Sequence, residues 1–141
     1  MAGADAATDL GPVDVIVVED SALMRVRVVE ALEELPGVRV VGVAKGADEA
    51  MAAIERLKPQ FVVLDLRLAQ CSGLSVLESC KRRVPHPVVA VFTNYPHLQY
   101  RTRCAELGAD FFFDKASGTD ALVDACRALG ASREVGHVRR G

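Results

Sequence analysis

Five polar side chains stand at or just past the ends of short apolar runs: Glu19 and Asp20 after residues 14–18, Asp65 after 61–64, Thr93 after 88–92, and Lys115 after 110–113. Intervals of 45, 28 and 22 positions separate Asp20, Asp65, Thr93 and Lys115 in turn, so only the fold can bring them together. If the runs are strands of an open α/β sheet, their carboxyl ends share one crevice and these side chains converge there. Three carboxylates so placed repel one another: at about 5 Å and an effective dielectric near 20, each pair costs roughly 3 kcal/mol. A divalent cation removes that cost. An all-oxygen donor set, with no nitrogen or sulfur ligand nearby, favours a hard ion, and Mg2+ is the candidate. Beside such an ion Asp65 can attack a phosphoryl group and form an acyl phosphate. Thr93 and Lys115 can donate hydrogen bonds to the phosphoryl oxygens.

The elements that must hold these residues read as two alternating periods. Apolar, β-branched runs at 14–18, 38–44, 61–64, 88–92 and 110–113 predict five strands. Three of them are almost continuously apolar, as a parallel sheet covered on both faces requires. Met24, Val28, Leu32 and Leu35 recur at helical spacing after Asp20-Ser21 and stop at Pro36-Gly37, and Ala50, Ile54 and Leu57 repeat the pattern before Pro59. A third helix opens at Gly73 and buries Leu74, Leu77 and Cys80, and a fourth runs from near Pro96 to Leu107-Gly108. Ser117-Gly-Thr-Asp120 fits a capping box for a fifth, whose inner face is Leu122, Ala125 or Cys126, and Leu129. The order is (βα)5, and right-handed crossovers make it an α/β, doubly wound, parallel five-stranded sheet. Expected boundaries are a loose N-terminal tail at 1–12, one domain at 13–130 and a C-terminal tail at 131–141.

Composition narrows the function classes. A chain of 141 residues, 50% hydrophobic, suffices for one core and not for two. With 17 basic against 19 acidic side chains, the net charge of −2 supplies no overall positive field for nucleic acid or an anionic membrane. The longest apolar runs fall far short of the roughly 18 residues that span a bilayer, and the N-terminus lacks the basic and apolar regions of a secretory signal. The expectation is a cytoplasmic protein with no direct contact to nucleic acid or membrane. Cys71, Cys80, Cys104 and Cys126 form no Cys-x-x-Cys pair, so they are read as reduced thiols, the last three packing as small hydrophobes. His86, His97 and His137 have no ligand spacing.

With these residues in place, the chain resembles the receiver domain of two-component response regulators over residues 13 to about 130, most closely the small stand-alone type, through Phe92-Thr-Asn-Tyr-Pro96 and Phe112-Phe-Asp-Lys115-Ala-Ser117. The resemblance implies a flavodoxin-like (receiver) topology, with Glu19 and Asp20 as the acidic metal-binding pair and Asp65 as phosphoacceptor. Thr93 and Lys115 match the family's hydroxyl and lysine, and Gly73 matches its loop glycine. It further implies Mg2+ held by Glu19, Asp20, Asp65 and the backbone carbonyl of Arg67. The phosphoryl donor would be a histidine kinase or histidine phosphotransfer protein, docking near Ala22, Leu23 and Ala116. A downstream protein target would read the result. Phosphorylation would draw Thr93 toward Asp65 and let Phe112 turn inward, altering the face of the fourth helix, fifth strand and fifth helix, through which a homodimer could also form.

The sequence departs from the family pattern in places. Ala69 and Ala116 replace frequent prolines, and Phe112 lacks the hydroxyl of a tyrosine, so a switch there rests on packing. Arg67 and Asn94 flank the pocket mouth and are expected to hinder attacking water. The chain is thus read as a phosphorylation-controlled switch or phosphoryl carrier, not an enzyme acting on metabolites. The competing reading is a phosphorylation-independent docking or dimerisation module. A haloacid-dehalogenase-like phosphotransferase would need an Asp where Arg67 stands, and a nucleotide or flavin module would need a glycine-rich loop where Glu19-Asp20-Ser21-Ala22-Leu23 stands.

Overall fold

The computed structural model describes residues 11–68 and 72–140, with side chains to residue 132. Strands β1 (Val13–Val18), β2 (Val38–Ala44), β3 (Phe61–Leu64), β4 (Val88–Thr93) and β5 (Phe111–Asp114) alternate with helices α1 (Ala22–Glu33), α2 (Ala47–Leu57), α3 (Gly73–Lys81), α4 (Leu98–Glu106) and α5 (Thr119–Arg140). The strands form one parallel sheet in the order β2-β1-β3-β4-β5. This is the (βα)5 doubly wound architecture that the alternating periods predict.

Strand side chains point alternately to opposite faces, so a strand covered on both sides must be apolar at every position. One face presents Val13, Val15, Val17, Phe61, Val63, Ala90 and Phe92 to Val28 and Leu32 of α1 and Leu122 and Cys126 of α5. The other presents Ile16, Val18, Val62, Leu64, Val89 and Val91 to Ile54 of α2, Val76, Leu77 and Cys80 of α3, and Cys104 of α4. Each such aliphatic side chain contributes about 1.5–3 kcal/mol on burial, which makes this sheet a rigid base for whatever its ends carry. Cys80, Cys104 and Cys126 are free and buried. Burial pushes their thiols up to about 11, so they pack without reacting.

Local signals place most helix starts. Ser21 caps α1, its Oγ accepting the Met24 N–H at 3.3 Å, and Ser72 caps α3 by accepting from Leu74 at 3.1 Å. The fifth helix differs from expectation at both ends. Asp114 takes the donors of the preceding turn, accepting from Gly118 N–H on its carbonyl and from Ala116 N–H on Oδ1. Gly118 rather than Ser117 therefore precedes the helix, and its carbonyl receives the first backbone bond, from Leu122. At the far end α5 passes through Gly130 and continues to Arg140, where a tail was expected. A glycine ends a helix by adopting a positive φ; Gly130 does not, and it lies buried within 3.5 Å (from an ideal Cβ) of the Gly37 carbonyl. Residues 1–10 of the expected N-terminal tail, together with Ala69, Cys71 and Gly141, lie outside the described residues. Among the described residues, no helix is long and apolar enough to cross a membrane.

Candidate functional site

The register delivers the predicted side chains to one place. Val18 pairs with Leu64, and the Asp65 N–H donates to the Val18 carbonyl at 3.0 Å, so Glu19-Asp20 and Asp65 leave the sheet side by side. Thr93 pairs with Asp114, and the Lys115 N–H donates to the Thr93 carbonyl at 2.9 Å. The Lys115 ammonium reaches back across β4, donating to Glu19 Oε1 at 2.6 Å and to Asp65 Oδ2 at 3.1 Å.

Glu19, Asp65 and Thr93 are the buried polar residues among those described, whereas Asp20 is exposed. The acidic pair thus divides its work. Glu19 is fixed by Lys115 and by the Ser21 N–H on Oε2 at 3.1 Å, while Asp20 faces the solvent. Burial raises the pKa of Glu19 above its ordinary value, with the Asp65 charge adding to the effect and Lys115 opposing it. Burial alone would depress Lys115, but its hydrogen bonds and attraction to Glu19 and Asp65 outweigh that and hold it above 10.5. The ammonium therefore stays charged at neutral pH.

Carboxylate oxygens of Glu19, Asp20 and Asp65 lie within 4.8 Å of one another. Three carboxylates against one ammonium leave two negative charges, which a single divalent ion cancels. The donor set is hard oxygen throughout, so these residues fit Mg2+. Asp65 itself is aimed by its own loop, its Oδ1 accepting the Arg67 N–H at 3.2 Å.

Other expected residues fall as follows. Thr93 lies fully buried at the end of β4, its Oγ1 accepting the Tyr95 N–H at 3.1 Å. Phe112 is half-buried on the α4 side of β5, where the Arg101 guanidinium covers its ring at 4.7 Å. Ala22, Leu23 and Ala116 are exposed, Leu23 by 64%. Asn94 is exposed as well. Arg67 spans the gap between the loops after β3 and β4, but not to Asn94: its Nη1 donates to the Tyr95 hydroxyl at 2.6 Å and its guanidinium lies 4.8 Å from the Tyr95 ring centroid. Sequence reading missed Tyr95 as that partner. Its one available signal was its position two residues after Thr93.

Gly73 has a steric reason for its identity. The Gly73 N–H donates to the Leu66 carbonyl at 2.8 Å, drawing the start of α3 onto the Asp65 loop so closely that a Cβ would overlap the Asp65 carbonyl oxygen. Gly73→Ala should therefore cost about 1–3 kcal/mol of stability and displace Asp65, slowing any chemistry there. Chemical denaturation checks the first effect, and Gly118 shows the same crowding against Asp114.

Comparisons with known proteins agree with this geometry. The family model for the response regulator receiver domain matches residues 15–127. A protein-glutamate methylesterase/protein-glutamine glutaminase of Myxococcus xanthus is 35% identical over 134 residues, covering 93% of this chain and 39% of its own length. The chain spans about a third of the length of the first curated relatives it matches, between 27% and 39%. Among solved structures, the signal receiver domain of a NarL regulator from Mycobacterium tuberculosis superposes with a TM-score of 0.77 at 26% identity, covering 86% of this chain and 98% of that one. The response regulator domain of Thermotoga maritima CheB gives 0.76 at 22% identity, covering 85% and 97%.

Proposed function

We propose that this chain, which belongs to the response regulator receiver domain family, accepts a phosphoryl group on Asp65 and thereby changes its protein-binding surface or passes the group on. The observation that supports this best is the placement of Asp65: buried beside two carboxylates, bonded to Lys115, and set where three elements meet. A carboxylate oxygen of Asp65 attacks the phosphorus of a histidine kinase, histidine phosphotransfer protein or small acyl phosphate. The bond from phosphorus to the donor breaks, and the donor leaves with its electron pair. Glu19, Asp20, Asp65 and the Arg67 carbonyl would hold Mg2+, which when bound screens the charge of the incoming phosphoryl oxygens. Lys115 stabilises those oxygens from the other side, and the Thr93 hydroxyl reaches them by giving up its bond with Tyr95.

On this reading the donor docks at Ala22, Leu23 and Ala116, exposed beside the site, and the target or a second copy uses the α4-β5-α5 face. Phe112 turns inward when Thr93 moves, and in doing so must leave the Arg101 guanidinium. On the same reading the protein acts in the cytoplasm as a switch rather than on metabolites. Incubation with acetyl phosphate followed by intact-mass measurement tests the reading: one phosphoryl group should be gained with Mg2+ and none with a chelator. Asp20→Asn should raise the Mg2+ concentration needed by about tenfold. Uptake that ignores Mg2+ would reject it.

Arg67 and Asn94 should lengthen the life of the phosphorylated state by obstructing water, with Tyr95 holding Arg67 in place. Arg67→Ala combined with Asn94→Ala should speed phosphate loss about fivefold, a barrier change of about 1 kcal/mol. Tyr95→Phe, which keeps the ring and drops the hydroxyl, should give part of that effect. Decay of the phosphorylated mass peak measures both.

A further inference from the structure

At the opposite pole, where the strands begin, a groove of about 420 Å³ opens between the segments that lead into β3 and β4, residues 58–60 and 83–88. Its floor is apolar, made by Ile54, Pro59, Val88 and Leu129. Its rim carries two cations, Lys58 and Arg83. Arg83 is only partly committed: its Nη2 donates to the exposed Glu55 at 2.6 Å, but its Nε is buried and meets no acceptor among the described residues. Val84, next to it on the rim, is 96% exposed. Nothing in the phosphoryl chemistry uses these residues.

We propose that this groove binds an acidic peptide segment of a partner protein, an aliphatic side chain seated on the floor and flanking carboxylates met by Arg83 and Lys58. Charge complementarity selects the occupant: Lys58 and Arg83 outnumber the one carboxylate, Glu55, that pairs with Arg83, so the rim keeps a net positive charge for an acidic segment. The apolar floor calls for a hydrocarbon side chain that a free inorganic anion lacks. Nucleic acid fits less well, because the floor offers no aromatic platform for bases.

The test uses the whole chain and the fluorescein-labelled peptide Asp-Glu-Leu-Asp-Glu, with Asn-Gln-Leu-Asn-Gln as control, followed by fluorescence anisotropy and amide NMR shifts. Saturable binding with a dissociation constant below about 1 mM, shifts centred on Lys58, Gln60, Val84 and Val88, and no binding of the control are expected. Arg83→Gln and Lys58→Asn should each weaken binding at least about threefold, and raised salt should do the same. Arg83 and Lys58 lie outside the phosphoryl site, so acetyl phosphate uptake should be unchanged in both variants. The proposal is overturned if the acidic peptide does not bind, if both variants bind it normally, or if the control binds equally. Inorganic phosphate producing the same shifts would reassign the groove to a free anion. Tighter peptide binding after removal of residues 1–10 would make the chain's own acidic start the occupant, against the proposal.

Discussion

Asp65→Asn is expected to take up phosphoryl groups from acetyl phosphate and Mg2+ at less than about one-hundredth of the wild-type rate, a barrier difference of about 2.7 kcal/mol. An amide oxygen lacks the negative charge that makes the carboxylate a nucleophile, and the substitution changes almost nothing else in size. Asp65 is buried, and its two oxygens accept from the Arg67 N–H and the Lys115 ammonium; asparagine fills the same space but its amide nitrogen cannot accept, so one of the two bonds is lost. The substitution also removes a negative charge close to Glu19, one of the causes that raise the pKa of Glu19. That relief offsets part of the lost bond, so the variant should fold with a stability within about 1.5 kcal/mol of the wild type at neutral pH. Intact mass reads the loss, and a thermal melt shows that it is chemical rather than structural. Equal uptake by the variant would place the acceptor elsewhere and end the assignment.

Removing Lys115 should have the second largest effect, and mainly on stability. Lys115→Met leaves Glu19 and Asp65 buried and facing each other without a cation. Breaking a buried pair from one side commonly costs 3–5 kcal/mol. Here the cost is capped, because Glu19, already raised above 4.5, can take a proton instead. At 1.36 kcal/mol per pH unit between 4.5 and 7, the loss cannot greatly exceed about 3 kcal/mol at neutral pH. The sign with pH follows. A carboxyl whose folded pKa is raised stabilises the fold once protonated, so the variant should regain stability as pH falls from 7 toward 4.5 and lose it as pH rises. Mg2+ should narrow the gap at pH 7 by supplying positive charge to the same oxygens. Urea unfolding midpoints at pH 7 and pH 5, with and without Mg2+, measure all three effects. A variant as stable as the wild type in chelator at pH 7 would show that Lys115 does not compensate Glu19.

Legibility in the sequence followed from how local each determinant is. Asp65 and Lys115 could be found because the residue at a parallel strand's end is positioned by that strand alone, and an apolar run makes the strand obvious. The assignment of Glu19 and Asp20 to one acidic pair was equally direct, but their division of labour was not. Which of two adjacent carboxylates turns inward depends on Lys115 and the Ser21 N–H, brought in by other parts of the fold. Tyr95 was missed for a similar reason: its partner Arg67 lies 28 positions away on another loop. Ser117-Gly-Thr-Asp120 satisfied a capping pattern, yet Asp114 captured the turn first by bonding Ala116 and Gly118. Gly130 looked like a helix stop because composition does not report φ, yet it keeps a helical backbone beside Gly37, where even a Cβ would make only ordinary contact. Gly73 was placed by its interval from Asp65, but only the contact with the Asp65 carbonyl explains why a side chain is not tolerated there.

β3 is four residues long and buried from end to end. It is preceded by Gln60, on the wall of the basic groove, and followed by Asp65. Five residues of extended chain measure about 17 Å, so this strand acts as a fixed spacer between two ends of unlike charge. A guest at one end would leave the other physically open. If both proposed partners bind, the spacing lets them do so at once, one at each end of the strand, without competing for the same surface.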